Sequence, residues 1–358
     1  MQDDHFPKGL FDDDPPEPAP KAKPQPKERK PSKRTVLAVA AVPEHEALAA
    51  ALPPSLKIGT SSWNYPGWAG FVWDGDYEET RLSRHGLAAY AQHPLLRSVS
   101  LDRAFYKPLE RAQYAAYAAQ MPEHFRFTVK APSLIADALI REEGRGLAEN
   151  SVFLDPDLAI TQFVEPAVTG LGDRLGALVF QISPLPPFLL ERPGELIERI
   201  GRMLQALPDV RARLPEAVIA VEFRDPIFVA PEWSGQLVDM LRASRATYCL
   251  GLHGKMPPIE AQLPILRALW PGPLVCRWNL HRKHGAYGYE KAKQLYGNFD
   301  RIVDADIETR QALARVAAAT ASAGHPAIIT IGNKAEGSAP RSVLALSEAI
   351  VERLRRPS

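Results

Sequence analysis

The run VIAVEFRDP at 218–226 reads as a β-strand carrying Glu222 and Arg224 two residues apart. Side chains in a strand alternate, so Val218, Ala220, Glu222 and Arg224 share one face while Ile219, Val221 and Phe223 share the other. Other runs repeat this arrangement, greasy on one face and mixed on the other, with the polar residues toward the C-terminal end. They add Asp102, Lys130, Gln181, His253, Arg277 and Asn279. Three cations, Lys130, Arg224 and Arg277, outnumber two carboxylates, and a planar guanidinium suits phosphate or carboxylate. The expected chemistry is an anion clamp made by those three cations. Glu222 would act as general acid or base, and Asp102 as an orienting or second acid/base group. Lys130, desolvated beside other cations, also has the setting for a Schiff base. The competing reading is a closed ion-pair network, because an unpaired buried charge is costly.

Two further groups carry chemistry. Trp63, Tyr65, Trp68, Phe71 and Trp73 cluster after the first strand-like run. They could stack on a sugar or base, or plug the end of a long loop. His253, His281 and His284, with Glu222 and Asp102, could hold a divalent metal. However, no HExxH, CxxC or tightly spaced histidine motif is present, so no cofactor is expected and a divalent metal is only a secondary option. The turn NKAEGSAP leads into the last helix with Ser338 as its expected N-cap, and its amides could bind an anion.

Positioning these residues requires a scaffold. Strand-like runs occur at 57–63, 98–106, 126–131, 175–183, 218–224, 247–253, 274–281 and 327–333. Helix-like segments at 109–121, 194–207, 231–243, 306–323 and 340–355 show apolar residues at three- and four-residue spacing. Eight strands alternating with helices predict a single (β/α)8 TIM barrel, typically ~250 residues plus insertions. An open doubly wound sheet is the rival, but its strands would be apolar on both faces. In the barrel the mixed faces point inward, and their polar ends gather at the C-terminal mouth.

The chain has 358 residues, 46% of them hydrophobic, and a formal net charge of +1, which gives no global pull toward nucleic acid or membrane. Cys249 and Cys276 lie in apolar runs without metal spacing, which suits a reducing compartment, and the cytoplasm is the expected location. Residues 1–34 are proline-rich with an acidic half followed by a basic one, KAKPQPKERKPSKR, and are expected to be disordered. The tail and linker together are expected to span 1–55, with the barrel occupying 56–358 and folding without them. TVLAVAAV at 35–42 is too short to cross a bilayer, so no membrane partner is expected.

Several blocks also resemble a known family: IGTSSWNYPGW, FYKPLERAQYAAYAAQMPEHFRFTVKAP, LVFQISP, VEFRDP and NKAEGSAPRSVLAL. In family order over about 57–350, they look like domain of unknown function 72. The resemblance implies a TIM barrel of unestablished activity. It implies site positions at Trp63, Tyr65, Trp68, Phe105, Tyr106, Lys130, Gln181, Glu222, Arg224, Arg277, Asn333 and Gly337. Where the family usually has Glu-Ile-Asn on the second strand, this chain has SLDRAFY, making Asp102 a shorter substitute. Gly332-Asn333 stands where the family usually has Asn-Asn, and RWNLHRKHG departs from the usual pattern after the seventh strand.

The leading expectation is an enzyme acting on a small phosphate- or carboxylate-bearing ligand at the mouth. Gln181, Asn279, His253, Trp63, Tyr65, Trp68, Tyr106 and Asn333 would help bind it. A nucleic-acid-binding or nucleic-acid-processing barrel is the alternative, with a non-catalytic interaction module third. The sequence assigns no oligomeric state.

Overall fold

All eight apolar runs form parallel strands in the computed structural model, which describes residues 35–142 and 146–355. In chain order the strands are β1 (Leu56–Thr60), β2 (Ser98–Leu101), β3 (Arg126–Lys130), β4 (Leu139–Glu142) and β5 (Gly146–Glu149). They continue as β6 (Leu175–Ile182), β7 (Val218–Phe223), β8 (Thr247–Leu252), β9 (Leu274–Trp278) and β10 (Ala327–Ile331). Eight of them hydrogen-bond in the order β1-β10-β9-β8-β7-β6-β3-β2 and close on themselves, which removes the open-sheet rival. β4 and β5 form a separate antiparallel hairpin after β3 that the apolar pattern did not announce.

The two-faced strands sort as their alternation requires. Ala177, Val179, Val218, Ala220, Cys249, Val275 and Ile328 pack together inside the barrel. Their neighbours along the chain, such as Leu178, Val221, Leu250 and Cys276, join the larger core beneath the helices. Helices Pro193–Gln205 and Pro231–Ala243 illustrate why that layer forms. Each has proline in its first turn, where the missing N–H costs nothing, and Leu196, Ile197, Ile200, Met203 and Leu204 of the first are all buried.

Two expectations need correction. The run at 98–106 is strand only to Leu101; Asp102 adopts helical dihedrals and Arg103–Tyr106 turns into a short helix over the mouth. Residues 35–55, expected to be a dispensable linker, are instead built onto the barrel. Pro43–Ala51 is helical, and Val36, Ala49 and Leu52 are buried. Val39 donates its amide to Val72 O at 3.0 Å, Asp74 donates to Leu37 O at 3.2 Å, and the His45 ring lies 5.4 Å from that of Phe71. Alternation over three or four residues is too short a signal to mark this strap in sequence. The expected tail at 1–34 lies outside the described residues.

A chain beginning at Pro53 is therefore expected to melt several degrees below one beginning at Thr35. Burial of Val36 or Leu52 alone stabilises by roughly 1.5–3 kcal/mol, and a loss of that size is readable in the thermal midpoint. Equal midpoints for the two chains would show that the strap adds nothing.

Candidate active site

The inward ends of β2, β3, β6, β7 and β9 meet at the mouth around Arg277. Its Nη1 donates to Glu222 Oε2 at 2.6 Å and to Gln181 Oε1 at 2.8 Å, while Nη2 reaches Asp102 Oδ2 at 3.1 Å and Oδ1 at 3.2 Å. Arg224 closes the group from above: its Nε donates to Glu222 Oε1 at 2.8 Å and its Nη2 to Gln181 Oε1 at 2.9 Å. Gln181 and Glu222 are register partners on β6 and β7. Arg277 stands one strand beyond β8, opposite Gly251. A Cβ at Gly251 would meet Glu222 Cγ at 3.4 Å, an ordinary van der Waals contact, so the Glu222 side chain lies against β8 at this position.

Electrostatics follow from this geometry. Burial would raise the Glu222 carboxyl, but Arg277 and then Arg224 overcome it and hold the group at about 2. Burial likewise opposes the charge on Arg277, and Glu222 and Asp102 more than restore it. Glu222 is fully buried with both oxygens in ion pairs.

Lys130 is treated differently. Its ammonium lies 3.4 Å from the centre of the Phe105 ring and, among the described residues, makes no salt bridge or hydrogen bond. Burial, then Arg277, bring it down to about 7, partly opposed by Asp102. Asp102 is the accessible carboxylate, its side chain 35% exposed, and it accepts from Ser100 Oγ at 2.5 Å.

Above this layer lies a cavity of about 180 Å³. Asp102, Lys130, Gln181, Arg224, Arg277, Asn279, Trp63, Tyr65, Tyr106 and Asn333 all line it. Arg103, Tyr117, Tyr289 and Lys334 line it too, and sequence reasoning missed them. None of the four lies on a barrel strand. The only signal was their position beside Asp102, within the family-like block, after the seventh strand and next to Asn333. Arg103 Nη1 donates to Tyr117 Oη at 2.7 Å, and Lys334 Nζ lies 4.9 Å from the Tyr289 ring centre.

The sequence profile described as protein of unknown function DUF72 matches residues 57–357. The chain belongs to the DUF72 family. A DUF72 family protein from Enterococcus faecalis shares its fold at 17% identity and a TM-score of 0.55, over 82% of this chain and 95% of that one. A DUF72 family protein from Thermotoga maritima aligns at 16% identity with a TM-score of 0.45, over 84% and 99% of the two chains. A search of curated proteins returned no match.

Within this DUF72 barrel, four sequence-based assignments move. Trp68 does not line the cavity; with Trp73 and Phe71 it is buried beneath the loop, and its Nε1 donates to Asn333 Oδ1 at 3.2 Å. It holds Asn333 from beneath, whereas Trp63, Tyr65 and Tyr106 line the cavity. His253 is buried behind Tyr289, its ring centre 5.2 Å away, with Nδ1 accepting from Lys255 N. His281 caps the short turn Arg282–His284, and His284 Nε2 pairs with Tyr296 Oη at 2.7 Å, so the three histidines do not converge on Glu222. Among the described residues no three His, Cys, Asp or Glu side chains gather as a metal site. In the first turn of the last helix, Ala339 N already donates to Asn333 Oδ1 at 2.8 Å, Ser342 N donates to Ser338 O at 2.9 Å, and Pro340 has no N–H.

Proposed function

We propose that this DUF72 barrel is an enzyme acting on a small substrate that bears a phosphate or carboxylate, bound at the C-terminal mouth. The observation that carries the reading is the charge balance of the cavity. Arg103, Lys130, Arg224, Arg277 and Lys334 line it against one lining carboxylate, Asp102, with Glu222 beneath. An uncompensated positive surface in a concave site favours an anion. The volume of about 180 Å³ is below the ~300–1,000 Å³ of drug-sized pockets. That size favours a small molecule over a polynucleotide.

Roles follow from which groups are already committed. Arg277 and Glu222 satisfy each other, so they set the shape of the floor rather than exchange protons. Arg224, 12% exposed, and Lys334 are placed to hold the anion. Asn333 Nδ2 is buried at the wall without a well-aligned acceptor, although the Tyr65 hydroxyl is close enough to interact with that side chain. It can donate to a substrate oxygen. Lys130 remains for chemistry, an amine able to lose its proton near neutrality, and Asp102, though paired with Arg277, is the carboxylate exposed to the cavity with it.

Inorganic phosphate is expected to bind the full chain, and Lys334→Met to weaken it by roughly 1.5–3 kcal/mol if one charged hydrogen bond is lost. Lys130→Met is expected to abolish turnover while leaving the melt at slightly acid pH unchanged or higher, because it removes an ammonium that the fold disfavours. Calorimetric titration and thermal melts read both effects. Undiminished phosphate binding in Lys334→Met and in Arg224→Lys would place the anion elsewhere. A steep loss of affinity for single-stranded RNA with added salt would favour the nucleic-acid reading.

A further inference from the structure

We propose that Lys130 captures a carbonyl group covalently, and that the substrate is a small aldehyde or ketone carrying one carboxylate or phosphate. This rests on the mouth being the substrate site, and it names the reaction there.

The geometry separates Lys130 from the other cations of the cavity. Arg277 and Arg224 are tied to Glu222 and Gln181, and Arg103 is tied to Tyr117. The Lys130 amine has no such acceptor; it rests on the face of Phe105 at the C-terminal end of β3. A lysine that only gripped phosphate would serve best fully charged and hydrated. Here burial strips its water shell and Arg277 is the largest charge acting on it, and together they outweigh the attraction of the Phe105 face for an ammonium. Those conditions favour the neutral amine, which is the nucleophile. The groups acting on it from neighbouring elements are Arg277, Asp102, Arg224 and Glu222 around the mouth, with Asp137 following β3.

In the step, the Nζ lone pair attacks the carbonyl carbon as the C=O π bond breaks, the oxygen takes a proton from solvent, and the nitrogen gives one up to Asp102, leaving a neutral carbinolamine. Loss of that hydroxyl as water, with a second proton delivered to it, leaves a protonated imine. Asp102 faces the same cavity and can return its proton to the departing hydroxyl. No oxidant or reductant is consumed. The anionic end of the substrate would lie toward Arg224 and Lys334, across the cavity from the amine.

The test is reductive trapping on the full chain. Pyruvate and dihydroxyacetone phosphate are each incubated with cyanoborohydride, acetone serving as uncharged control, followed by intact mass and peptide mapping. The expected result is one adduct per chain on the peptide holding Lys130, forming at least ~100-fold faster near neutral pH than on an ordinary exposed lysine. The better of the two probes identifies the anion, and acetone should label poorly. Lys130→Met should lose that adduct while melting, at slightly acid pH, at or above the parent. Phosphate binding that is sensitive to Lys334→Met, with no adduct on Lys130 from either probe, would overturn covalent capture and leave the mouth as an anion site. Absence of both the adduct and phosphate binding would overturn the two readings together. Adducts spread evenly over many lysines would also reject the proposal.

Discussion

Glu222→Gln is expected to destabilise the fold by about 3–5 kcal/mol at neutral pH, the range for removing one partner of a buried ion pair. Glu222 is fully buried, and each oxygen accepts from a different arginine. The amide can accept on one side only and would turn N–H donors toward the other guanidinium. The pH dependence has a definite sign. The folded carboxyl titrates at about 2, below its ordinary value, so its stabilisation is complete above the ordinary carboxylate range and is lost as pH falls toward about 2. The gap between parent and variant should therefore narrow on acidification through that window. A Gln variant that melts like the parent at neutral pH would show that the floor of the mouth does not depend on this pair. The sequence offered Glu222 as a general acid or base, and its two ion pairs add a structural share that this melt measures.

Strand faces were legible because they depend on period two alone. Val218, Ala220, Glu222 and Arg224 do share the interior, and Cys249 and Val275 line it while Leu250 and Cys276 turn outward. The eight-strand count and the alternation with helices also followed from pattern, and closure of the barrel agrees with them. What pattern could not give was pairing across strands. Nothing local to RWNLH shows that Arg277 spends its two terminal nitrogens on Glu222, Gln181 and Asp102. That contact joins β7 to β9 across the intervening β8. The anion clamp and the ion network were posed as rivals; the structure draws Arg224, Arg277, Glu222 and Asp102 into a network, and the clamp stands as a proposal. Arg277 and Glu222 belong to the network, and Lys130 and Lys334 stay at the cavity wall. Trp63 and Trp68 lie five residues apart in one aromatic block, and only their packing separates a lining residue from a buried one. Tyr289 opens the helix Tyr289–Tyr296 and Lys334 lies in the short helical turn Asn333–Ala335, both after barrel strands, where strand alternation no longer states which way a side chain faces.

Arg277→Met is expected to have two effects, of which only one is structural. It leaves the Glu222 carboxylate with Arg224 alone and deprives Asp102 of its guanidinium, so the melt should fall by about 3–5 kcal/mol. The second effect concerns Lys130. After burial, Arg277 is the largest influence lowering the Lys130 amine, while Asp102 and Glu222 act in the opposite direction. Removing the cation removes a repulsion and leaves both carboxylates in place, so the Lys130 titration must move up from about 7. Each unit of upward shift lowers the neutral-amine fraction at neutral pH by up to about tenfold. Competitive acetylation of Lys130 across neutral and alkaline pH, mapped by mass spectrometry well below the melting midpoint, reads the shift directly. Arg277→Lys is the control, since it retains a positive charge and should keep the midpoint nearer the parent than Met does. A Met variant whose Lys130 midpoint stays put or falls would mean that burial over Phe105 alone sets the amine. The arginine would then be a structural keystone with no hold on the chemistry above it.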